Sequence, residues 1–358
     1  MSFAPPAGIP IVMINFFLIS SDLFSARFFM RWFAVILVGL SLFSACAPDP
    51  RLEPNNIFWP MPPDPPRIKY VQSIYTEDDI GRVYSFKEKL FGKDYTDNMS
   101  RPYGVSARHN KIIVTDVVVK NVLVFNTDTK RLSFVQSAGA VRNPSAAVTD
   151  VSGMIYVADA GSGKIAVFTP DGEYKTSFFL NDSRIVALAI NESFGRLYAL
   201  DRARHRVIVL SLEGQQLFEF GSQGDDNGQF NIPLGIAVDK QGSVYVLDNG
   251  NFRVQVFDPD GKYLFKFGEV GDGPGLFANP KGIAVDSDRH IYVTDAAFSN
   301  FQIFDQQGNV VMYIGSLGPS AGQLHLPAGI SIDENDRIYI ADQFNKRIQV
   351  FQYYKASQ

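Results

Sequence analysis

The sequence of 358 residues contains one cysteine, four histidines and two tryptophans. A single cysteine, Cys46, excludes an internal disulfide and any metal site built from several thiolates. The histidines are far apart in the sequence, at His109, His205, His290 and His325. Because the usual soft metal ligands are so scarce, we expect neither a metal nor another cofactor.

An excess of one charge is also lacking. Lysine and arginine number 33 against 37 aspartates and glutamates, which gives a formal net charge of −4 at pH 7. A mildly acidic chain has no overall electrostatic attraction for polyanions, so nucleic acid is not an expected partner. Hydrophobic residues make up 46% of the sequence, which is enough to build a folded core.

The first 45 residues have the pattern of an export signal. Arg31 precedes an uncharged run, residues 33–45, that ends at Cys46, as in signals with a short basic start, an apolar core and small residues before the cleavage site. The segment Leu42-Phe43-Ser44-Ala45-Cys46 resembles a bacterial lipobox, which implies that Cys46 is lipidated and becomes the N-terminus. The alternative is a free cysteine at the end of an uncleaved anchor. Both interpretations predict an exported chain held at a membrane.

The flanks of this signal suggest where the mature chain begins and where it resides. A start at Met30 would give the signal an ordinary length, so residues 1–29 are candidates for an over-extended start. Ala47 rather than aspartate follows the cysteine, which in lipoproteins of this type implies anchoring in the outer membrane of the bacterial cell envelope, facing the periplasm or the cell surface. Residues 46–66 contain eight prolines and are predicted to be an extended, semi-rigid tether.

From residue 102 onward the sequence repeats a pattern of short strands. Three copies of Pro-x-Gly-Ile-(Ala/Ser)-(Val/Ile)-Asp begin at Pro233, Pro280 and Pro327, 47 residues apart. A second marker, an apolar run that ends in aspartate, occurs six times at intervals of 43, 42, 47, 47 and 47 residues. These aspartates are Asp116, Asp159, Asp201, Asp248, Asp295 and Asp342. Four short strands per unit, at a period above forty residues, are typical of β-propeller blades.

A count of the strands predicts how the ring closes. The sixth unit ends near residue 355 after three strands, whereas residues 68–75 form a strand pattern that belongs to no unit. Pairing this strand with residues 348–353 would complete the sixth blade and remove two exposed edges. The sequence therefore predicts an all-β, six-bladed propeller over residues 67–358, a monomeric ring closed by its N-terminal strand. Residues 79–90 are expected to form a short helix before the first blade.

The combined pattern of Pro-x-Gly-Ile-Ala-Val-Asp, (Ile/Val)-Tyr-Val-x-Asp and Asn-x-Arg-(Ile/Val)-Gln-Val-Phe resembles NHL repeats, which build six-bladed propellers. The resemblance extends over residues 102–351 and is strongest in the last three copies. The third copy, residues 185–220, lacks the leading proline and glycine. The proline-rich segment that begins at Trp59 also resembles bacterial NHL lipoproteins. The resemblance leaves the function open, because such propellers include binding scaffolds, lactonases, lyases and RNA-binding proteins.

Six aspartates on one rim could bind a cation, but we interpret them as structural. Each is followed five residues later by a side chain able to donate a hydrogen bond across the turn: Asn121, Lys164, Arg206, Arg253, Asn300 or Arg347. The inner-strand positions, where lactonases and lyases of this fold would need ligands, are Val105, Ala147, Ala189, Ala237, Ala284 and Ser331. None of these side chains is a common metal ligand.

The loops after the aspartates differ between the repeats and are therefore candidates for partner binding. They contribute Val117, Val118, Val119, Arg202, Arg204, Phe252, Phe298 and Phe344. Alternatively, some of these side chains plug the mouth of the channel. Apolar anchors beside charges are typical of protein–protein surfaces. We therefore expect a membrane-anchored, non-enzymatic scaffold that binds envelope proteins; the alternative is a metal-dependent hydrolase or lyase that uses the central channel.

Overall fold

Short apolar strands alternate with turns rich in glycine and aspartate, and in the computed structural model they form six sheets arranged in a ring. The structure describes residues 57–61, 63–91, 99–137 and 139–355. The predicted all-β, six-bladed propeller is confirmed. Within each blade, neighbouring strands are antiparallel, and the first repeat strands of successive blades contact one another around the axis.

The strands are numbered along the chain. Two of them precede the repeats, β1 (Phe58–Trp59) and β2 (Ile68–Ile74). Blades one to three consist of β3 (Pro102–Arg108), β4 (Lys111–Asp116), β5 (Asn121–Asn126), β6 (Arg131–Phe134), β7 (Pro144–Thr149), β8 (Ile155–Asp159), β9 (Lys164–Phe168), β10 (Tyr174–Phe179), β11 (Ile185–Asn191), β12 (Arg196–Asp201), β13 (Arg206–Ser211) and β14 (Gln216–Phe220). Blades four to six consist of β15 (Pro233–Val238), β16 (Val244–Asp248), β17 (Arg253–Phe257), β18 (Tyr263–Phe267), β19 (Pro280–Val285), β20 (Ile291–Asp295), β21 (Asn300–Phe304), β22 (Val310–Ile314), β23 (Pro327–Ile332), β24 (Arg337–Asp342) and β25 (Arg347–Tyr353), followed by β2 and β1.

The core lies between the blades. Six hydrophobic clusters each combine side chains from two neighbouring blades. Every residue of the second strands β8, β16 and β20 is buried, as expected for strands that are covered on both faces. Full burial of an aliphatic or aromatic side chain contributes about 1.5–3 kcal/mol, so the inter-blade packing is the main source of stability.

The N-terminal strand closes the ring as predicted. β2 pairs with β25 from Ile68, opposite Tyr353, to Ile74, opposite Ile348. Ile68 and Tyr70 of β2 are buried in the hydrophobic cluster between blades five and six, and Ile74 is buried in the cluster between blades six and one. The structure adds a strand that was not expected, because β1 pairs with β2 inside the segment predicted to be a tether. Trp59 packs its ring 5.8 Å from that of Phe351, and this apolar contact draws the chain onto the sixth blade before residue 67.

The connection from β2 to blade one corrects the predicted helix at residues 79–90. A 3-10 turn spans Glu77–Ile80, and a separate helix, α1, spans Phe86–Phe91. Gly81, in the left-handed conformation with φ 86°, ends the first turn. The buried Glu77 carboxylate accepts the Leu132 N–H of β6 at 2.9 Å and lies 3.4 Å from the Arg82 guanidinium. This contact holds the connection against the outer edge of blade one.

Candidate functional site

The six repeat aspartates lie at the ends of the second strands, on one face of the ring. We call this face the aspartate rim; it comprises loops 117–120, 160–163, 202–205, 249–252, 296–299 and 343–346, together with the loops between blades. All six carboxylates are buried. Asp116 accepts backbone N–H groups from Ser100, Arg101, Val118 and Val119 at 2.7–2.9 Å. Such a carboxylate joins two loops and has little capacity left for a ligand.

The arginine and glutamine of the third-strand motif hold the loop between blades in place. Arg253 Nε lies 2.9 Å from Asp248, and its Nη2 donates to the carbonyls of Asp226 and Gln229. Gln255 Nε2 donates to the same Gln229 carbonyl at 2.6 Å. Arg347 and Gln349 repeat this arrangement in blade six. The repeated motif is therefore explained by blade construction.

A side-chain donor for every repeat aspartate was expected. Among the described residues this expectation is wrong for blades one, two and five, where Asn121, Lys164 and Asn300 do not donate to the aspartate, and Asp159 of blade two accepts backbone N–H groups of Arg142, Asn143 and Gly161. Arg206, Arg253 and Arg347 donate to the aspartates of their own blades. Asn121 instead accepts the Val122 N–H at 2.8 Å, and the buried Oδ1 of Asn300 has no hydrogen-bond partner among the described residues. Asparagine is shorter than arginine, and in blades one and five backbone N–H groups from both neighbouring loops satisfy the aspartate.

Four of the predicted rim residues lie around the seam between blades one and six. Val117, Val118, Val119 and Phe344 are 36%, 52%, 46% and 47% exposed. Arg101 connects them, because its carbonyl accepts the Val117 N–H and its guanidinium lies 5.1 Å from the centre of the Phe344 ring. We call these five residues the seam patch.

The other four predicted rim residues do not extend this patch. Phe252 is half-buried and packs against the core cluster between blades four and five, which is a structural role. Phe298 is half-buried as well. Arg204 is exposed and pairs with Asp182 at 3.2 Å. Arg202 lines a cavity at the mouth of the channel together with Val117.

Three cavities that share lining residues follow one another along the channel in the described part of the chain. The one at the aspartate rim, which we call the upper cavity, measures about 610 Å³, the middle one about 210 Å³ and the one at the opposite rim about 430 Å³. The inner-strand residues expected to be non-ligands line the middle cavity: Val105, Ala147, Ala189, Ala237, Ala284 and Ser331. In the part of the chain that the structure describes, no group of three or more His, Cys, Asp or Glu side chains is placed to hold a metal ion.

Residues that the sequence analysis missed surround the mouth at the aspartate rim. Five first strands have a register irregularity between their leading residue and the third position, and in blade six it lies between Pro327 and Ile330, the fourth position. β-Bulges of this kind redirect a side chain. The second positions are Tyr103, Ser145, Val186, Leu234, Lys281 and Ala328. All but the last line the middle or upper cavity. The variation at this single motif position was the signal that could have identified them.

The opposite mouth is rich in carboxylates that already have partners. Asp239 accepts Tyr245 Oη and Arg289 Nε, and Glu192 pairs with Arg108 at 2.7 Å. Asp286 lies 2.9 Å from His290 Nδ1, and this hydrogen bond raises the pKa of His290 above its ordinary value. These contacts connect the ends of strands, so the acidic mouth has the character of a structural network.

Cys46 lies outside the described residues, as do the predicted signal and most of the tether. Among the helices in the described ranges, none is both long and apolar enough to span a membrane.

Comparison with known proteins supports the fold. A family model of the NHL repeat matches residues 230–257, and a model described as a 6-bladed β-propeller matches residues 286–357. The predicted NHL-type propeller is thereby confirmed.

Solved structures with the same fold have different functions. A structural genomics protein of unknown function from Bacteroides thetaiotaomicron is 18% identical with a TM-score of 0.60, over 80% of this chain and 76% of that one. A gluconolactonase from Xanthomonas campestris is 16% identical with a TM-score of 0.56, over 80% and 98%. A virginiamycin B lyase from Staphylococcus aureus is 14% identical with a TM-score of 0.54, over 80% and 100%. At these identities the similarity concerns the fold alone.

Proposed function

We propose that this propeller is a non-enzymatic scaffold of the bacterial cell envelope, anchored through a lipid on Cys46, that binds a partner protein through the seam patch. The observation that carries the proposal is the group of exposed apolar side chains on the aspartate rim, Val117, Val118, Val119 and Phe344. Rigid scaffolds commonly bind through loops of this kind, and apolar anchors near an arginine are typical of protein interfaces.

The seam patch is held in shape before any partner arrives. The Asp116 carboxylate accepts the N–H groups of Val118 and Val119, both at 2.9 Å. The Phe344 ring contacts both the Arg101 guanidinium, 5.1 Å from its centre, and the His325 ring, whose centre is 5.0 Å away. Ordering flexible loops reduces affinity, so side chains that are fixed in the free protein favour binding.

The lactonase and the lyase of similar fold raise the alternative of catalysis in the channel. Alanines occupy four of the six inner-strand positions that line the middle cavity of this chain. Alanine supplies neither an acid, a base nor a ligand. This composition favours a binding function over a hydrolase or lyase.

The proposal can be tested by crosslinking in cells. A photo-crosslinking amino acid at Val118 should give one discrete protein adduct, and adding Phe344→Asp should remove it. Val151, 64% exposed in the turn between β7 and β8 at the opposite rim, is the matched control position and should give no such adduct. Identical adducts at both positions, or adducts at Val118 that survive Phe344→Asp, would place the binding surface elsewhere.

The lipid anchor is tested separately, because it rests on the sequence pattern at Cys46. Metabolic labelling with palmitate should mark the wild-type protein, and Cys46→Ala should abolish the label and release the protein from the membrane fraction. Equal labelling of the two proteins would refute the anchor without affecting the proposal for the seam patch.

A further inference from the structure

The two mouths of the channel differ in charge and in how that charge is used. At the opposite rim, carboxylates are paired with tyrosine, arginine and histidine side chains. At the aspartate rim, the cations Arg184 and Arg202 line the 610 Å³ cavity, and Lys281 lines the middle cavity directly below it. A cleft lined by charges of one sign concentrates the field and attracts ligands of the opposite sign.

Among the described residues, these three cations have no side-chain partner. In the residues that the structure describes, their side chains form no ion pair and donate no hydrogen bond. The adjacent carboxylate, Asp201, is buried and already accepts the N–H groups of Arg184 and Ala203 as well as Arg206 Nε. Arg184 is exposed, whereas Arg202 and Lys281 are half-buried. A cation partly removed from water without a partner is unfavourable, so the local chain does not itself explain why Arg202 and Lys281 lie here.

The pKa shifts of Lys281 and Tyr103 indicate that the cations lie close to one another at the mouth of the channel. Burial lowers the pKa of Lys281, and Arg202 lowers it further, while Asp295, which pairs with the neighbouring Pro280 in the strand register, opposes this. Asp295 is occupied by backbone N–H groups of Ala278 and Asn279. Burial raises the pKa of Tyr103, and Arg202 and Arg184 act against that rise. Arg202 is thus close enough to influence both Tyr103 and Lys281, which places the cations in one cluster at the mouth.

The remaining lining suits a small organic molecule. Val117, Val186 and Leu234 provide apolar walls, and the Tyr103 hydroxyl and the Asn143 amide are available as donors beside the cations. The volume of about 610 Å³ lies within the range of ordinary ligand sites, roughly 300–1,000 Å³. Arginine is well suited to bidentate recognition of carboxylate or phosphoryl oxygens.

We propose that the mouth of the channel at the aspartate rim is a binding site for a small organic anion with at least two negative charges, held by Arg184, Arg202 and Lys281 with Tyr103 as a neutral donor. The proposal does not rest on the scaffold function, because the seam patch contacts this site only through Val117.

The test is calorimetric titration of the purified full-length protein with pyrophosphate and with citrate at constant ionic strength. We expect saturable 1:1 binding of at least one probe; binding of pyrophosphate alone would assign phosphoryl chemistry, and of citrate alone carboxylate chemistry. Arg202→Gln and Lys281→Gln should each weaken binding roughly tenfold to a hundredfold, as for the loss of a charge-assisted hydrogen bond. Arg204→Gln, in the same loop as Arg202 but paired with Asp182, should leave affinity within about twofold.

A second measurement separates loss of the site from loss of the fold. Because the cations repel one another, the unliganded Arg202→Gln and Lys281→Gln proteins should melt at or above the wild-type temperature. No saturable binding of either probe at 10 mM, or equal weakening by Arg202→Gln and Arg204→Gln, would overturn the proposal. A decreased melting temperature in both cavity variants would also overturn it, because the cations would then be stabilising parts of the fold.

Discussion

The closure of the ring by β2 gives a sharp test of how the fold is held together. Ile74 of β2 lies opposite Ile348 of β25 and is fully buried. Ile314 of β22 holds the corresponding place in blade five, opposite Phe301, and is 1% exposed. The strands that carry these two isoleucines are connected to their partners differently. A short turn joins β22 to its partner β21, whereas β2 and its partner β25 lie at opposite ends of the propeller sequence. Ile74→Ala and Ile314→Ala are therefore a matched pair.

Each substitution should lower the free energy of unfolding by about 3 kcal/mol, within the range of roughly 2–5 kcal/mol for truncating a buried isoleucine. An unfolding entropy of about 2.1 cal/mol/K per residue, over roughly 290 residues, converts this loss into a Tm decrease of about 5 °C. Val311→Ala, at a position 56% exposed in β22, should change Tm by less than about 1 °C. The magnitude thus follows from burial and not from the strand in which the residue lies.

The difference in connection should appear in local opening. No turn returns β2 to β25 after it detaches, so Ile74→Ala should accelerate amide hydrogen exchange in both strands at a temperature where Ile314→Ala affects only blade five. Thermal unfolding and exchange measured by mass spectrometry provide the two readouts. Suppose that Ile74→Ala left Tm and the amide exchange of β25 unchanged, while Ile314→Ala lowered Tm by the expected 5 °C. In that case β2 would not contribute to the stability of the sixth blade.

Two further predictions concern the polar network. Arg253→Ala should lower the free energy of unfolding by about 3 kcal/mol, because it leaves the buried Asp248 carboxylate without its cation and two loop carbonyls without their donor. The Arg206 side chain is 21% exposed, so Arg206→Ala should lower the free energy of unfolding clearly less in the same denaturant titration. The raised pKa of His290 implies that its pairing with Asp286 stabilises fully below the unfolded pKa of about 6.5 and fades as pH rises through the folded pKa. The difference in free energy of unfolding between wild type and His290→Gln should therefore be larger at pH 5.5 than at pH 8.5. Because the ring is partly exposed, the increase should be at most about 1 kcal/mol. A difference that does not depend on pH would contradict the pairing.

The number and closure of the blades could be predicted from the sequence because both depend on repeated burial. The second strands are buried on both faces, so they appear as almost continuously apolar runs that end in aspartate. An unpaired edge is unfavourable, and this made the N-terminal strand the natural partner for the sixth unit. These features follow from the local pattern alone.

Other features depend on geometry that the pattern does not contain. β1 has only two residues, directly before Pro60, too few to show an alternation. Phe252 and Phe344 lie in corresponding loops but not at the same position, four residues after Asp248 and two after Asp342. Phe252, with a φ of 53°, packs on the core cluster between blades four and five. The channel-mouth residues sit in the variable position of the Pro-x-Gly motif, and only the bulge at that position explains how they reach the channel.

The glycine of the same motif explains why the cavity lies towards one side of the ring. A Cβ atom on Gly282 would lie 2.5 Å from the Ala328 carbonyl oxygen, and one on Gly329 would lie 2.6 Å from that of Tyr103. Adjacent inner strands can approach this closely only where the side chain is absent. Blades two and three carry Ala146 and Ala187 at the equivalent position, so the next strand must stand further away there. The upper cavity is lined by residues of blades one to four, and its two arginines come from the third blade, the copy that departs most from the repeat. Divergence from the pattern therefore both opens the space and supplies the charge.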